Sequence, residues 1–171
     1  MNKIYYSSFE SRYGRIFVAA SSKGAVRITA GRTEFDGLLS WLEDHFPGYV
    51  YEEDEEFMKK YISQVKDYIA GKKDVIDIPV DLRLNGFTRK ALMALRRIPF
   101  GCTLTYAELA AKAGNPRAAR AAGTACSKNP LPFVIPCHRV VARGNRLGGY
   151  GGGEKFKLEL LQREGVTNIK T

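Results

Sequence analysis

Three short runs of alternating apolar and polar residues open the chain and predict strands. They cover residues 3–9, 15–21 and 25–30. In the second run Ile16, Val18 and Ala20 share one face, and the turn signal Ser22–Gly24 separates this run from the third. The pattern therefore predicts a meander of antiparallel strands.

Apolar residues at helical spacing follow in two stretches. The first runs from Phe35 to Phe46 and stops before a Pro–Gly pair, with His45 expected on the surface near its end. The second runs from Phe57 to Ile69, after an acidic run that suits a helix N-terminus. The polar, proline-containing stretch 72–84 then predicts an extended link to the second half of the chain.

The second half begins with a helical stripe between Phe87 and Ile98 and continues with a helix-turn-helix pattern. Thr105–Glu108 has the form of a capping box, and Gly114 ends the helix that it starts. We expect the next helix from Pro116, just after Asn115, to about Ser127. The elements predict an α+β fold, with an N-terminal α+β domain at 1–84 and a helix-turn-helix domain at 85–171.

The composition agrees with a folded protein and narrows its setting. Of the 171 residues, 44% are hydrophobic and 26% are charged, which excludes a wholly disordered chain. No stretch reaches the roughly 18 apolar residues that a membrane span needs, and the N-terminus lacks a signal-type apolar core. Three cysteines without a C-x-x-C pair favour a reducing, cytoplasmic setting and predict no metal site.

Charge separates the two halves of the chain. Residues 1–84 hold 12 Lys and Arg against 14 Asp and Glu, whereas residues 85–171 hold 15 against 4. A basic half of this kind is typical of proteins that contact a polyanion, and nucleic acid is the first candidate. A surface charge that serves only solubility is the alternative.

The second helix of the helix-turn-helix pattern consists mostly of alanine. Proteins that read base sequence place Asn, Gln or several Arg side chains against base edges, whereas this helix has Arg120 as its one long side chain in mid-helix. We therefore expect DNA binding through shape and phosphate contacts, with Arg120 acting locally. Alternatively, the alanines serve helix propensity and both Arg117 and Arg120 are solvated.

The strongest chemical candidate is Cys137, which precedes His138, the second of two histidines in the chain. Three prolines between residues 130 and 136 predict a rigid, extended path to this pair. A nearby imidazole or positive charge lowers the pKa of a thiol and makes it nucleophilic, and a water could relay the proton. The alternative is a small, buried and unreactive cysteine.

The segment IPCHRVV, with TYAELAAKAGNPRAARAAG before it and GGYGGG after it, resembles the O6-alkylguanine-DNA alkyltransferases, also called methylated-DNA–protein-cysteine methyltransferases. The resemblance runs from about Phe87 to Gly165. It implies a winged helix-turn-helix active-site domain, preceded by a domain that is ribonuclease-H-like in the family. It also implies repair of double-stranded DNA: after base flipping, one irreversible transfer moves an alkyl group from guanine O6, with thymine O4 as a second candidate, to a cysteine.

The resemblance assigns the chemistry to particular side chains. Cys137 corresponds to the alkyl acceptor, His138 to its base and Glu164 to the carboxylate that orients the histidine. Asn129 corresponds to an asparagine that braces the turn before the cysteine. Tyr106 corresponds to a tyrosine that contacts the flipped guanine and its phosphate environment and donates a proton.

The remaining roles concern DNA and the base pocket. Arg120 corresponds to the side chain that fills the gap left by the flipped base. Further DNA contacts are implied for Arg117, Ala119, Thr124 and Lys128. Base-pocket roles are implied for Val140, Tyr150, Gly151, Gly152 and Lys157. Arg139 and other basic side chains of this half are additional candidates for phosphate contacts.

Within this interpretation no cofactor is required, because the acceptor is a side chain of the protein. We expect a monomer without an obligate protein partner, without membrane contact and without the zinc that human-like members carry. Cys126 lies near the pocket by alignment, and Cys102 has no expected role. Two other classes remain open: a winged-helix DNA-binding protein with a structural Cys137, and a cysteine hydrolase, which would turn over repeatedly.

Overall fold

Four strands form one sheet in the computed structural model, which describes residues 1–30 and 34–171. They are β1 (Lys3–Ser11), β2 (Gly14–Ser21), β3 (Gly24–Ile28) and β4 (Val50–Glu53), in the order β3-β2-β1-β4. The first three pair antiparallel, so the predicted meander is confirmed. Strand β4, which pairs parallel with β1, was not predicted, because this short edge strand is exposed or half-buried and shows no alternation.

Two helices cover the faces of this sheet, as the apolar stripes predict. They are α1 (Phe35–His45) and α2 (Glu55–Ile69), and the Asp54 carboxylate caps α2 by accepting a hydrogen bond from Phe57 N at 2.9 Å. Six consecutive residues of β2 are buried, so the alternation predicted for this strand is wrong. Leu38 and Leu42 of α1 pack against one face of the sheet, while α2 packs on β1 and β2.

The segment after α2 packs against β3 instead of forming a free link. Ala25 N donates to Pro79 O at 2.9 Å, and Asp81 N donates to Ala25 O at 2.8 Å. Gly24 permits this approach, because a Cβ there would lie 2.6 Å from the carbonyl carbon of Pro79 and its φ of +152° suits glycine. The chain accordingly divides into two compact units, Met1–Leu82 and Arg83–Thr171.

The second unit contains four helices, a 3-10 turn and two very short strands. They are α3 (Gly86–Leu95), β5 (Leu104–Thr105), α4 (Tyr106–Lys112), α5 (Ala119–Ser127), the 3-10 turn Cys137–Arg139, β6 (Val140–Val141) and α6 (Glu154–Arg163). The predicted capping box is confirmed: Thr105 Oγ1 accepts from Glu108 N at 3.2 Å, and Glu108 Oε2 accepts from Thr105 N at 2.7 Å. The helices α3, α4 and α5 pack together, and the predicted α+β class is confirmed.

The helix α5 begins three residues later than the sequence predicts. Asn115 starts a separate turn, because its Oδ1 accepts from Arg117 N at 3.2 Å and its backbone O accepts from Ala118 N at 3.0 Å. Asparagine favours such turns by bonding to its own neighbouring backbone. Pro116 therefore lies in the turn and not at the first position of the helix.

A satellite core holds the C-terminal end of this unit. It contains Val141, Leu147, Leu161 and Val166, with Leu158 and Ile169 packed against it. This packing positions α6 behind the 3-10 turn, which contacts it directly. None of the helices in the described residues is long and apolar enough to cross a membrane.

Candidate active site

Residues 131–135 form turns and bends, so the extended path predicted before Cys137 is wrong, and Cys137 itself begins the 3-10 turn Cys137–Arg139. The proline-rich segment instead closes a turn in which Ile135 N donates to Leu131 O at 2.9 Å. Phe133 lies in this turn at a φ of +73°, a left-handed conformation that non-glycine residues seldom adopt. The prolines thus constrain a folded loop, which delivers Cys137 at the start of a tight helical turn.

Asn129 connects the two ends of this proline turn. Its buried side chain donates from Nδ2 to Ile135 O at 2.7 Å and accepts from Leu131 N at 3.0 Å. An amide can satisfy both groups at once because it carries a donor and an acceptor. Asn129 therefore fixes the loop that immediately precedes the cysteine.

The thiol of Cys137 is buried and has several polar neighbours. Burial raises the pKa of the thiol above its ordinary value. A hydrogen bond with the Asn129 side chain, the positive charge of Lys157 and a hydrogen bond with Tyr150 each act to lower that pKa. Burial is the largest of these effects, so the thiol is protonated in the resting protein, and the three polar neighbours offset only part of the rise in its pKa.

His138 and Glu164 form a buried pair behind the cysteine. The Nε2 of His138 lies 2.8 Å from Oε1 of Glu164, and neither side chain has any exposed surface. Burial lowers the pKa of His138, although the hydrogen bond and the charge of Glu164 act to raise it. Hydrogen bonds from His138 and Arg139, with the positive charge of Arg139, hold the pKa of Glu164 at about 2 against the effect of burial. Glu164 is therefore ionised at neutral pH.

Arg139 is a third member of this buried group. Its prediction as a candidate phosphate contact is therefore wrong. Arg139 is buried, and its guanidinium donates to both Glu164 oxygens at 2.8 to 3.1 Å and to Ile98 O at 2.6 Å. Gly101 N also donates to Glu164 Oε2 at 3.1 Å. The sequence did contain a signal for this pairing. Arg139 lies inside the apolar run VIPCHRVV, and a charged side chain buried among apolar residues is normally paired. No sequence signal marked the Gly101 amide.

Lys157 connects α6 to the glycine-rich loop at residues 148–153, which precedes this helix. Its side chain is fully buried, and its Nζ donates to Gly149 O at 3.3 Å. Burial lowers the pKa of Lys157, whereas the neighbouring thiols of Cys137 and Cys126 act to raise it. The lysine thus brings a positive charge close to the Cys137 thiol and also holds the loop by a hydrogen bond.

Tyr106 stands between α5 and the glycine-rich loop. A Cβ at Gly148 would lie 3.1 Å from the Tyr106 hydroxyl, and a Cβ at Gly123 would lie 3.8 Å from its ring. Burial raises the pKa of Tyr106, and so do the adjacent thiols of Cys126 and Cys137. The hydroxyl is therefore protonated at neutral pH and close to the cysteine.

The other pocket residues of the sequence analysis divide into exposed and packed ones. Gly151 is exposed, whereas a Cβ at Gly152 would lie 2.8 Å from the Phe156 ring and 3.0 Å from the Tyr150 ring. The rings of Tyr150 and Phe156 meet edge to face at 6.0 Å. Val140 is buried in β6, where it pairs with Leu104.

The candidate DNA contacts lie on α5 and on the residues that flank it. Arg117, Arg120, Thr124 and Lys128 are exposed and Ala119 is half-buried, whereas Ala122 and Ala125 face the core. Thr124 Oγ1 donates to Arg120 O within the helix at 3.1 Å. The exposed surface is cationic and has small residues between the long side chains, a combination suited to close phosphate approach.

The three cysteines are free and differ in their surroundings. Burial and the charge of Cys137 raise the pKa of Cys126 to about 12, so Cys126 stays protonated at neutral pH. Cys102 is exposed on the segment between α3 and α4. Across residues 1–30 and 34–171, no three His, Cys, Asp or Glu side chains come together as they would to hold a metal ion.

Comparison with known protein families matches nearly the whole chain. A model described as 6-O-methylguanine DNA methyltransferase, ribonuclease-like domain, matches residues 4–82. A second, described as 6-O-methylguanine DNA methyltransferase, DNA binding domain, matches residues 86–166. These two matches cover both units of the structure.

Individual relatives extend over the same length. The methylated-DNA–protein-cysteine methyltransferase of Methanosarcina acetivorans is 35% identical over 95% of this chain and 99% of its own. The inducible methylated-DNA–protein-cysteine methyltransferase of Bacillus subtilis is 31% identical over 94% of this chain and 90% of its own. The crystal structure of Mycobacterium tuberculosis OGT in complex with DNA matches with a TM-score of 0.79 at 30% identity, over 94% of this chain and 93% of that one.

Proposed function

The chain belongs to the 6-O-methylguanine DNA methyltransferase family, and we propose that it repairs DNA by moving an alkyl group from guanine O6 to Sγ of Cys137. The observation that carries this proposal is the buried group formed by Cys137 and His138 of the 3-10 turn and Glu164 at the end of α6. A nucleophile, a base and a carboxylate that orients the base form the general arrangement of an activated thiol.

The histidine is poised to accept a proton. Because Glu164 is ionised and lies against Nε2 of His138, the neutral ring carries its proton on Nε2 and keeps a lone pair on Nδ1. The lowered pKa of His138 keeps the ring neutral in the resting protein. The proton of the Cys137 thiol passes to this lone pair, through a water in the mechanism that the family resemblance implies.

The transfer itself is a displacement at the alkyl carbon. The sulfur–carbon bond forms while the carbon–O6 bond breaks, and the electron pair of the broken bond leaves with the guanine. The guanine anion then needs a proton or hydrogen-bond donors, which stabilise the developing charge. The Tyr106 hydroxyl and a backbone N–H near Gly151 are the proposed donors.

The guanine must leave the duplex before the thiol can reach O6. Flipping a nucleotide out of the stack costs a few kcal/mol, and less where the base pairs poorly. Arg120 on the exposed surface of α5 is the proposed side chain that occupies the vacated stack. Arg117, Thr124 and Lys128 would hold the phosphates, and Tyr150 and Gly152 would close the pocket around the base together with the carbonyl of Val140.

The product explains why the protein acts once. A thioether on Cys137 is not reversed by thiol exchange, so the alkylated protein has lost its nucleophile. No cofactor is needed because the acceptor belongs to the chain, and a monomer is sufficient because the proposed chemical groups lie in one unit.

Stoichiometry tests this function against the alternatives. With excess duplex DNA containing O6-methylguanine, we expect repair to stop after one equivalent of lesion per protein. Continued turnover would favour a cysteine hydrolase, and tight binding without any repair would favour a DNA-binding module with a structural cysteine.

A further inference from the structure

We propose that Arg139 is a positioning residue, whose guanidinium holds Glu164 against His138 and so sets where the proton of this buried pair resides. The effect on alkyl transfer rests on the function proposed above, whereas the effect on the His138 ring does not. The role differs from the phosphate contact that a basic residue of this half would ordinarily make.

The contacts of Arg139 use its whole planar end. Its Nε donates to Glu164 Oε1 and Oε2 at 3.1 and 2.9 Å, and its Nη2 donates to Oε1 at 2.8 Å. Its Nη1 donates to Ile98 O at 2.6 Å. A guanidinium supplies this fork because its donors lie in one plane, whereas a lysine ammonium is a point charge that cannot match it. The carboxylate is therefore fixed in orientation as well as in position.

A second anchor holds the same carboxylate from the segment after α3. Gly101 N donates to Glu164 Oε2 at 3.1 Å, a few residues beyond the Ile98 carbonyl that Arg139 binds. Glu164 Oε1 is thereby held 2.8 Å from His138 Nε2. The α3–β5 connection, the 3-10 turn and the end of α6 thus meet at one carboxylate, and Arg139 binds both this carboxylate and the Ile98 carbonyl.

The side chains of this group leave no access for a phosphate. The exposed fraction is 8% for the Arg139 side chain and zero for Glu164. A guanidinium already committed to a buried carboxylate and a carbonyl would have to break those bonds to reach DNA, and a carboxylate left without its partner is costly in a buried site.

The charges that face His138 explain how Arg139 affects the proton. Glu164 favours the protonated ring, whereas Arg139 and Arg163 disfavour it. Arg139 also favours the ionised form of Glu164. Without Arg139, no adjacent positive charge of that residue would offset the negative charge of Glu164 beside the His138 ring. The His138–Glu164 pair would therefore take up a proton at higher pH.

The test is ring NMR of the two histidines across pH in wild type, R139Q and R139K. His45 is exposed at the end of α1 and serves as an internal reference in every sample. R89Q, which removes an exposed arginine of α3, is the matched control. The same samples are used for DNA affinity at several salt concentrations and for the single-turnover rate of alkyl transfer.

We expect the titration midpoint of the His138 ring to move to higher pH in R139Q and by a smaller step in R139K. R139K keeps the charge but loses the fork, and we expect transfer to slow about a hundredfold through misplacement of the pair. An unmoved His138 midpoint in folded R139Q would overturn the proposal. If R139Q does not fold, a wild-type transfer rate in R139K would overturn it.

A phosphate contact would give a different result. The salt dependence of DNA binding would then fall by about one unit in R139Q while the His138 ring titrated as in wild type. The ring measurement needs no DNA, so failure of alkyl transfer in wild type would reject the proposed function and leave the role of Arg139 to be judged by NMR.

Discussion

The ammonium of Lys157 is fully buried and donates to the carbonyl of Gly149, 3.3 Å away in the loop that precedes its helix. Burying an ammonium is costly unless it is paired. Here the positive charge also lies close enough to Cys137 to lower the pKa of the thiol. One side chain therefore serves both the loop and the nucleophile.

Replacing Lys157 with methionine tests this double role. K157M keeps an apolar chain of similar length but removes the charge, so we expect the pKa of Cys137 to rise and its alkylation by iodoacetamide at neutral pH to slow about tenfold. The rate is followed on the Cys137 peptide by mass spectrometry. K155M removes an exposed lysine of the same helix and should react as wild type does. Equal rates for K157M and K155M would contradict the electrostatic role.

Two glycines of the same loop should differ in their tolerance of a side chain. A Cβ at Gly152 would lie 2.8 Å from Phe156 and 3.0 Å from Tyr150, whereas a Cβ at Gly151 has nothing within 4 Å. We expect G152A to lower the free energy of unfolding by about 1–3 kcal/mol, the range for overpacking, and G151A to leave it almost unchanged. Denaturant unfolding of both variants measures this. A destabilisation of equal size in the two variants would contradict the packing described for the loop.

Acid should destabilise the protein in two steps. Burial lowers the pKa of His138, so the unfolded chain takes up a proton below about 6.5 that the folded chain does not. Glu164 has its pKa held at about 2 against an ordinary 4.5, so the stability it contributes is lost as the pH falls from 4.5 toward 2.

The variant E164Q separates these two steps. The loss of stability between pH 4.5 and pH 2 should be absent in E164Q, because the amide has no carboxylate to protonate. We expect thermal melting between about pH 3 and pH 7 to show that the Tm of E164Q depends less on pH below 4.5 than the Tm of wild type does. E159Q, from the preceding turn of α6, should keep both steps. Parallel curves for E164Q and wild type below pH 4.5 would contradict this account of Glu164.

Arg120 should matter for flipping more than for chemistry. If it fills the vacated stack, R120A should slow transfer from duplex DNA about a hundredfold, the effect of leaving a few kcal/mol uncompensated. Transfer from a free alkylated guanine base, which needs no flipping, should change little. R117A is the comparison: loss of a phosphate contact there should lower the salt slope of binding by about one. Equal slowing of R120A on both substrates would mean that Arg120 shapes the pocket instead.

Features determined by near neighbours could be predicted from the sequence. The capping box of α4 depends on Thr105 and Glu108, three residues apart, and both of its hydrogen bonds are present. The meander of β1 to β3 likewise depends on tight turns between strands that are neighbours in the sequence. The late start of α5 was missed because two turn bonds of Asn115 compete with a helix that Pro116 would otherwise have started.

Features determined by distant residues could not be predicted. Arg139 and Glu164 are 25 positions apart, and nothing near Arg139 in the sequence distinguishes a buried ion pair from a phosphate contact. The prediction of an extended path to Cys137 was wrong for a related reason. Proline restricts only its own φ, whereas the hydrogen bond from Asn129 to Ile135 O stabilises the turn into which the segment folds. Strand β4 depends on the parallel partner β1, far from it in the chain.

The most direct test of the central claim is the intact mass of the protein after incubation with one equivalent of duplex DNA containing O6-methylguanine. We expect the mass to increase by one CH2, with the added group on the Cys137 peptide. C102S should gain the same mass, since Cys102 is exposed on another segment, and C137A should gain none. An unchanged mass in the wild-type protein, or the same increase in C137A, would contradict alkyl transfer to Cys137.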